Sequence, residues 1–490
     1  MDKIKNMLQE RCDSTKILTK DSSGMITYAE AHNFAKKMAT LINGCNVGKS
    51  ALLLVKNSNN YVLGYFSLLY ADKVIVPIYY ESTPTEVESV LSYCESNFIV
   101  CDCSSEKFLR NILKDIQYSV TLLNIETTQI INLNSQLRNI VNSIQFEKQL
   151  EDVVLLLQTS GTTSSPKRVM LTNKNLISNV IMHTSSVNLC ETDVSLIILP
   201  SCFGYVNTAQ LLSTIYVGGT VVYYDGLLHL KRLINVINQH NITNFTCVPQ
   251  IVKIFNELNT EKTSLLKSLR FVNFGGAALR KDDLNMLMSK LKGVQLIQTY
   301  GQTEASPRLT SHCFSKENPM SNNIGKPLDG VQMKVVDKDF KELPTREVGE
   351  IVTRGSNVMK GYFKDIDKTK AKIRNGWLHT EDLGYKTEEG DFFFLGRIKN
   401  IIICNGLNIF PEDIEDVIAT FPGIKDCIVI GEEDASAGEV PVAKYSSVTE
   451  IDSQKLREYC YQFLSKYKIP RKFIRVKSVR KTYNGKKIRE

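Results

Sequence analysis

The chain has 490 residues, 43% of them hydrophobic and 23% charged, with a formal net charge of +8. That length exceeds one ordinary domain, and the composition is globular rather than disordered or fibrous. The start, MDKIKNMLQERCDS, has no apolar core, so no signal peptide is expected. The most apolar window, YVLGYFSLLYADKVIVPIYY, is interrupted by Asp72-Lys73 and is too short on either side for a membrane span. The twelve cysteines show no metal spacing, which fits reduced thiols and a cytoplasmic location. From Lys466 onward the only acid is Glu490. This is either a solvated basic surface or one that meets a polyanion such as nucleotide phosphates, coenzyme A or an acidic protein. No nucleic-acid module occurs, so nucleic acid is not an expected partner.

In chain order, ITYAEAHNFAKKMATLIN reads as a helix starting at Thr27, and SALLLVKN as a buried strand. NNYVLGYFSLLYADK is a helix, VIVPIYY a strand, PTEVESVLSYCES a helix and FIVCD a strand. This alternation predicts a parallel sheet covered by helices. It continues through SLIILP, TVVYYD, NFTCVPQ and LRFVNFGGAAL, with helical stretches such as LHLKRLINVINQH between them. After about residue 310, GVQMKVVDKDFKELP, VGEIVTRG, GYFKD and GDFFFLGR are short β segments, which predict a smaller antiparallel sheet or barrel. From about residue 400 the pattern is strand, helix (FPEDIEDVIATFPG), strand (KDCIVIGEED), helix (SQKLREYCYQFLSKYK) and basic tail, a small α+β domain.

Several polar segments could carry chemistry. QTSGTTSSPKRV sets Thr159, Ser160, Thr162 and Thr163 around Gly161 and ends near Lys167. It follows the apolar EDVVLLLQ and precedes LTNKNLISNVIMHTSS. A strand–loop–helix is therefore predicted, whose N–H groups bind phosphate. It is not the Walker pattern, because no second glycine precedes Lys167 and no Ser or Thr follows it. The plain alternative is a Ser/Thr-rich surface turn. QTYGQTEASPR (298–308) offers Glu304 beside Thr303, and Tyr300 beside Gly301. A carboxylate there could hold Mg²⁺ on a triphosphate while the tyrosine stacks on a base; the alternative is a polar loop with a core tyrosine. GWLHTEDLGY offers Asp382 on a loop, able to accept hydrogen bonds from a ribose diol. GRIKNIIICNGLNIFPEDIE offers Arg397 to assist it or reach a phosphate.

The order SGTT-x-x-PK, GGA-x-L, YGQTE, GEI…GW-x-x-x-D, GR-x-K…G-x-x-I-x-P-x-x-IE and a final N-G-K resembles the adenylate-forming enzymes over essentially the whole chain. This superfamily of AMP-dependent synthetases and ligases contains acyl-CoA synthetases, adenylation domains and firefly luciferase. The resemblance implies an α/β fold: a large N-terminal domain of layered α/β sheets with a small β-barrel-like subdomain, and a small mobile α+β C-terminal domain. The implied division is 1–396 for the acyl and ATP sites, a hinge at 397–399 with Lys399 at the family hinge position, and 400–490 for the mobile domain. The implied reaction is activation of a carboxylic acid by ATP to an acyl-adenylate with loss of pyrophosphate, then acyl transfer to a thiol. Two anions must meet in the first step, which calls for cations and oriented dipoles.

The resemblance also implies roles for residues. The 160–167 loop would hold the β,γ-phosphates, Glu304 the Mg²⁺, and Thr303 the α-phosphate. Gly275, Gly276 and Ala277 would form the adenine-side loop, with Tyr300 stacking opposite, and Asp382 and Arg397 would take the ribose. Lys486 matches the late catalytic lysine, with Lys487 as the fallback. The acyl pocket would draw on Phe203, Gly204, Tyr205, Cys247, Val248 and Phe274, an apolar and partly aromatic lining without charge that fits an aliphatic or aryl acid. The acceptor thiol would be coenzyme A or the phosphopantetheine of an acidic acyl or peptidyl carrier protein. It would act in trans, since no carrier domain follows the lysine motif.

Three departures from the family pattern stand out. Ser164 and Arg168 replace common glycines, with Arg168 either near the phosphates or pointing to solvent, and Ile403 stands where many relatives have lysine. No acid occurs between Asp193 and Asp225 to pair with an α-ammonium, and a buried unpaired ammonium is costly. An α-amino acid substrate is therefore disfavoured. The alternatives are a stand-alone amino-acid adenylation enzyme of peptide-synthetase type, or a non-catalytic nucleotide-binding protein on the same fold.

Overall fold

The computed structural model describes residues 3–114, 116–134, 136, 144–159, 167–224, 229–256, 266–275, 281–315, 322–405, 407–434, 436–481 and 487–489. Ser50–Leu54, Val74–Pro77, Phe98–Cys101 and Val120–Asn124 run parallel in an eight-stranded sheet. They are apolar along most of their length because both faces are covered. Leu53 enters one apolar cluster and its neighbours Leu52 and Leu54 another. The helices start where the sequence places a cap: Thr27 with Glu30 closes a capping box before Tyr28–Asn43, and Thr83 with Glu86 does so before Pro84–Tyr93. The same sheet receives Val153–Gln158 (β1) and Arg168–Thr172 (β2), which pair antiparallel, and helix Asn173–Ser186 (α1) follows with Thr172 as its cap.

A second, fourteen-stranded sheet contains Val194–Ile197, Thr220–Tyr223, Asn244–Cys247 (β3), Phe271–Phe274 (β4) and Gln295–Gly301 (β5), all parallel. Arg308–Cys313 (β6) pairs antiparallel with β5. Period-2 alternation gives this sheet two separate cores. Leu196, Val222, Phe245 and Val272 pack with Leu233 and Ile237 of helix Leu230–His240. Ile197, Val221 and Tyr223 pack with Leu176 and Val180 of α1 on the other side.

The antiparallel strands expected after residue 310 are Gln332–Val336, Gly349–Arg354, Trp377–Lys386 (β8) and Phe392–Arg397 (β9), joined to β6 through Asn323–Pro327. They grow out of the edge of the second sheet. One segment read with them, GYFKD, goes elsewhere: Gly361–Tyr362 (β7) pairs with β2 in the first sheet. A third sheet of five strands, Ile402–Cys404, Leu407–Ile409, Ile424–Asp434, Gly438–Ser447 and Lys472–Arg475, carries helices Pro411–Ala419 (α2) and Ser453–Phe463 and has its own apolar cluster. Its Gly438–Ser447 strand escapes the sequence reading because Pro441 interrupts the run. Among the described residues no helix is long and apolar enough to cross a membrane. All twelve cysteines are free thiols.

Candidate nucleotide and acyl site

The predicted phosphate loop spans a hairpin, not a strand-to-helix turn. β1 runs into it and β2 leaves it, with Thr159 N–H donating to the Lys167 carbonyl at 3.2 Å; the helix begins five residues after β2 starts. The sequence divides this strand between the loop, through Arg168-Val169, and the helix-like segment from Leu171, because RVMLT is too short to declare itself a strand. Ser160, Gly161, Thr162 and Thr163 lie outside the described residues. Lys167 Nζ sits 5.3 Å from the centroid of the Tyr362 ring, a cation–π contact. Tyr362 Oη in turn donates to Glu304 Oε1 at 2.7 Å. The loop exit and the carboxylate expected to hold Mg²⁺ are thus bridged by one phenol, from a residue the sequence reading did not single out. Burial first and the Glu304 carboxylate second push the Tyr362 pKa well up, so it remains a donor. Glu304 sits in a single 3₁₀ turn, Thr303–Ala305, directly beyond β5, and its carbonyl accepts from Met359 N–H. One hard carboxylate oxygen donor that leaves the remaining positions to phosphate fits the coordination Mg²⁺ prefers.

Four residues before Glu304, Tyr300 Oη donates to Asp382 Oδ2 at 2.7 Å. Arg397 Nε meets Asp382 Oδ1 at 3.0 Å, and Asp382 and Arg397 face each other across the β8–β9 ladder. The structure therefore brings Tyr300, Asp382 and Arg397 together. It corrects one point: Asp382 lies inside a ten-residue strand, not on a loop. The polar HTED run and the left-handed Glu381, at φ 62°, break the apolar alternation that would have marked a strand. Burial and then Asp382 raise the Tyr300 pKa, and Asp382 is the main cause holding Arg397 above its ordinary value. Lys399 is exposed in the 3₁₀ turn Ile398–Asn400 that follows β9.

The residues expected around the acyl group divide between two faces. Gly204 lies between the two halves of the site: a Cβ on it would meet Leu157 Cδ1 at 2.9 Å and Thr303 Cγ2 at 4.0 Å. The Phe203 ring lies tilted beside that of Tyr79, with centroids 6.0 Å apart. The Tyr205 ring covers Gly275, where a Cβ would fall 2.3 Å from Cε2. Cys247, Val248 and Phe274, by contrast, are buried in the cluster under helix Leu230–His240. Strand alternation is the reason, since Phe274 shares a face with Val272 and Cys247 with Phe245. The expected absence of charge also needs correction. Arg308, the last residue of the QTYGQTEASPR segment, is 1% exposed and lies over the Tyr205 ring at 4.1 Å. Arg168 does not point to solvent: it is 1% exposed, and its Nη2 donates to Gln158 Oε1 at 3.2 Å. Gly276 and Ala277 lie outside the described residues.

A profile of the AMP-binding enzyme family matches residues 5–363, and one of its C-terminal domain matches residues 413–486. The chain belongs to the AMP-binding enzymes. It is similar to 4-coumarate–CoA ligase 3 of Oryza sativa subsp. japonica, with 30% identity over 95% of this chain and 86% of that one. It is also similar to the solved structure of o-succinylbenzoate CoA synthetase from Bacillus subtilis in complex with its acyl-adenylate intermediate. The identity there is 27% and the TM-score 0.85, over 99% of this chain and 97% of that one. The structure of that synthetase with ATP and a magnesium ion gives 27% identity and a TM-score of 0.84, covering 99% and 98%.

In this AMP-binding chain, residues flanking the expected catalytic lysine form ion pairs. Lys486 lies outside the described residues; Lys481 and Lys487, before and after it in the chain, form a β-bridge. Lys487 Nζ meets Glu415 Oε2 of α2 at 2.5 Å, and Arg489 Nη2 meets Glu412 Oε1 at 2.9 Å. Burial acts to lower the Lys487 pKa, but Glu415, with Cys427 and Asp426, outweighs it and the net shift is upward. A lysine committed to Glu415 is not free to meet substrate, which argues against Lys487 as the alternative to Lys486. Ile403 is exposed, and its N–H donates to Glu439 Oε2 at 2.9 Å.

Proposed function

We propose that the segment from Tyr300 to Glu304 holds the two ends of one ATP molecule. Tyr300, Asp382 and Arg397 take the ribose side, and Glu304, Thr303, Lys167 and the 160–166 loop take the phosphates. The observation that supports this reading is the pair of hydrogen bonds at the two ends of that segment: Tyr300 to Asp382 and Tyr362 to Glu304. Five consecutive residues thereby anchor a ribose pair and a phosphate pair at fixed separation. Mg²⁺ on Glu304 would neutralise charge on the phosphates when bound.

The chain is an AMP-forming acid–thiol ligase. A carboxylate oxygen attacks the α-phosphorus of ATP, pyrophosphate leaves, and the thiol of coenzyme A then displaces AMP from the acyl carbon. Lys167 and Lys486 offset the repulsion between carboxylate and phosphate, and Thr303 donates toward the α-phosphate. The unit 400–490 rotates about 397–399, with Lys399 at the pivot, to exchange Lys486 for the thiol between the two steps. An aliphatic or aryl acid is the substrate class, since no described acidic side chain stands near Tyr205 to pair an α-ammonium.

Acid-dependent pyrophosphate release across fatty, aryl and amino acids tests the first step. Mass spectrometry of the product, with coenzyme A and a carrier protein offered side by side, tests the second. Release with an aryl or fatty acid and a coenzyme A thioester is expected. Release only with amino acids, or a thioester only on the carrier protein, would overturn the substrate or the acceptor assignment.

A further inference from the structure

Cys247 and Phe274 point into the core beneath helix Leu230–His240, so alternation turns their neighbours Thr246 and Asn273 to the opposite face, in register with each other. That face meets α1 and the turn Asn207–Leu212, which is a π-helix, a distortion that often marks functional sites. It is polar. Thr246 Oγ1, Asn273 Oδ1 and Thr208 Oγ1 are buried and complete no hydrogen bond among the described residues. At the β6 end stands Arg308, whose Nε and Nη2 are also buried without a partner. The titratable groups facing it are Tyr205 and His183 of α1. Burial, reinforced by Arg308, holds the His183 imidazole well below its ordinary pKa and therefore neutral. Among the described residues no carboxylate pairs with the guanidinium.

A desolvated guanidinium without a counter-ion is costly, and native interiors seldom leave such donors unmade. Stacking on Tyr205 covers the face of the group and leaves Nε and Nη2 without a partner among the described residues. We propose that Arg308 receives a second anionic group on the acid substrate, so that the enzyme activates dicarboxylic acids. One carboxylate attacks ATP near Thr303, and the other, at the far end of the molecule, pairs with Arg308. This rests on the acid-activating reading above. Tyr205, lodged between Gly275 and Arg308, forms the wall along which the substrate lies. Burial pushes its phenol up to about 12, so it stays protonated and can donate to the same carboxylate.

The test uses the full chain with ATP and Mg²⁺ and matched pairs of acids, each a dicarboxylic acid and its monomethyl ester, in aliphatic and aryl series of several lengths. Pyrophosphate release gives kcat/KM for each. For the best pair, a preference for the diacid of more than about 100-fold is expected. Arg308→Met should reduce that ratio to within a few-fold, chiefly by loss of the diacid reaction, while Arg308→Lys restores part of it. If Arg308→Met does not fold, the ratio in the parent and the rise in its thermal midpoint with diacid against ester decide the matter. Turnover of esters or simple monocarboxylates as well as diacids, or an unchanged ratio in Arg308→Met, overturns the role of Arg308 and leaves the acid-activating reading standing. No pyrophosphate release with any acid overturns both.

Discussion

Replacing Gly275 by alanine probes the contact on which the acyl wall depends. The added Cβ would lie 2.3 Å from Tyr205 Cε2, 2.5 Å from Oη and 2.6 Å from Cζ. These atoms belong to a rigid ring, so the whole side chain must move. Its escape is limited, because the Arg308 guanidinium carbon lies 4.1 Å from the ring centroid. Overpacking a filled interior costs roughly 1–3 kcal/mol, and pulling the ring off a desolvated guanidinium forfeits roughly 2 kcal/mol more. The total of about 3–5 kcal/mol is large against the roughly 5–15 kcal/mol that holds a typical domain folded. Urea unfolding of the parent, Gly275→Ala, Tyr205→Ala and the double variant gives the coupling directly. Tyr205→Ala empties the space the new methyl needs and already removes the ring–guanidinium contact, so the double variant should recover about 3–5 kcal/mol relative to additivity. A Gly275→Ala protein as stable as the parent, or strictly additive losses, would refute the reasoning.

Other outcomes follow from the same geometry. Glu304→Gln should raise the half-saturating Mg²⁺ concentration by roughly tenfold or more in the pyrophosphate assay, and unchanged Mg²⁺ dependence would remove Glu304 from the metal. Lys486→Ala should slow adenylate formation by roughly a thousandfold with ATP binding retained. Lys487→Ala, which breaks the Glu415 pair instead, should slow it less and lower the thermal midpoint; the reverse order would reassign the catalytic lysine. Asp193 is buried and would titrate high, but the Arg270 guanidinium, Thr243 and the Cys190 N–H outweigh burial and hold its pKa below the usual carboxylate range. A depressed folded pKa gives stability that is present above the unfolded value near ~3.9 and lost as pH falls through the folded one. Asp193→Asn should therefore lower the thermal midpoint at pH 7, with the deficit shrinking as pH falls below the unfolded value and through the depressed folded one; a deficit unchanged with pH would exclude the linkage.

Much of this protein was legible in the chain itself, because the forces involved act within a few residues. Thr27 and Thr83 cap their helices through Glu30 and Glu86 three positions on, and uniformly apolar runs such as Ser50–Leu54 declare strands buried on both faces. The ordered nucleotide motifs, read against the family they resemble, placed Tyr300, Glu304, Asp382 and Arg397 in one candidate site. Tertiary structure decided what depends on contacts far apart in sequence. Tyr362 reaches Glu304 across 58 positions, and Tyr300 reaches Asp382 across 82. Sidedness was decided there too: composition cannot tell which of Asn273 and Phe274 packs into the core under helix Leu230–His240, since a one-residue step along a strand reverses the face. The burial of Arg308 was hardest to foresee. An arginine ending a polar loop motif ordinarily keeps its charge in water, and only the packing of Tyr205 and α1 around it removes that water and leaves a cation in need of a partner.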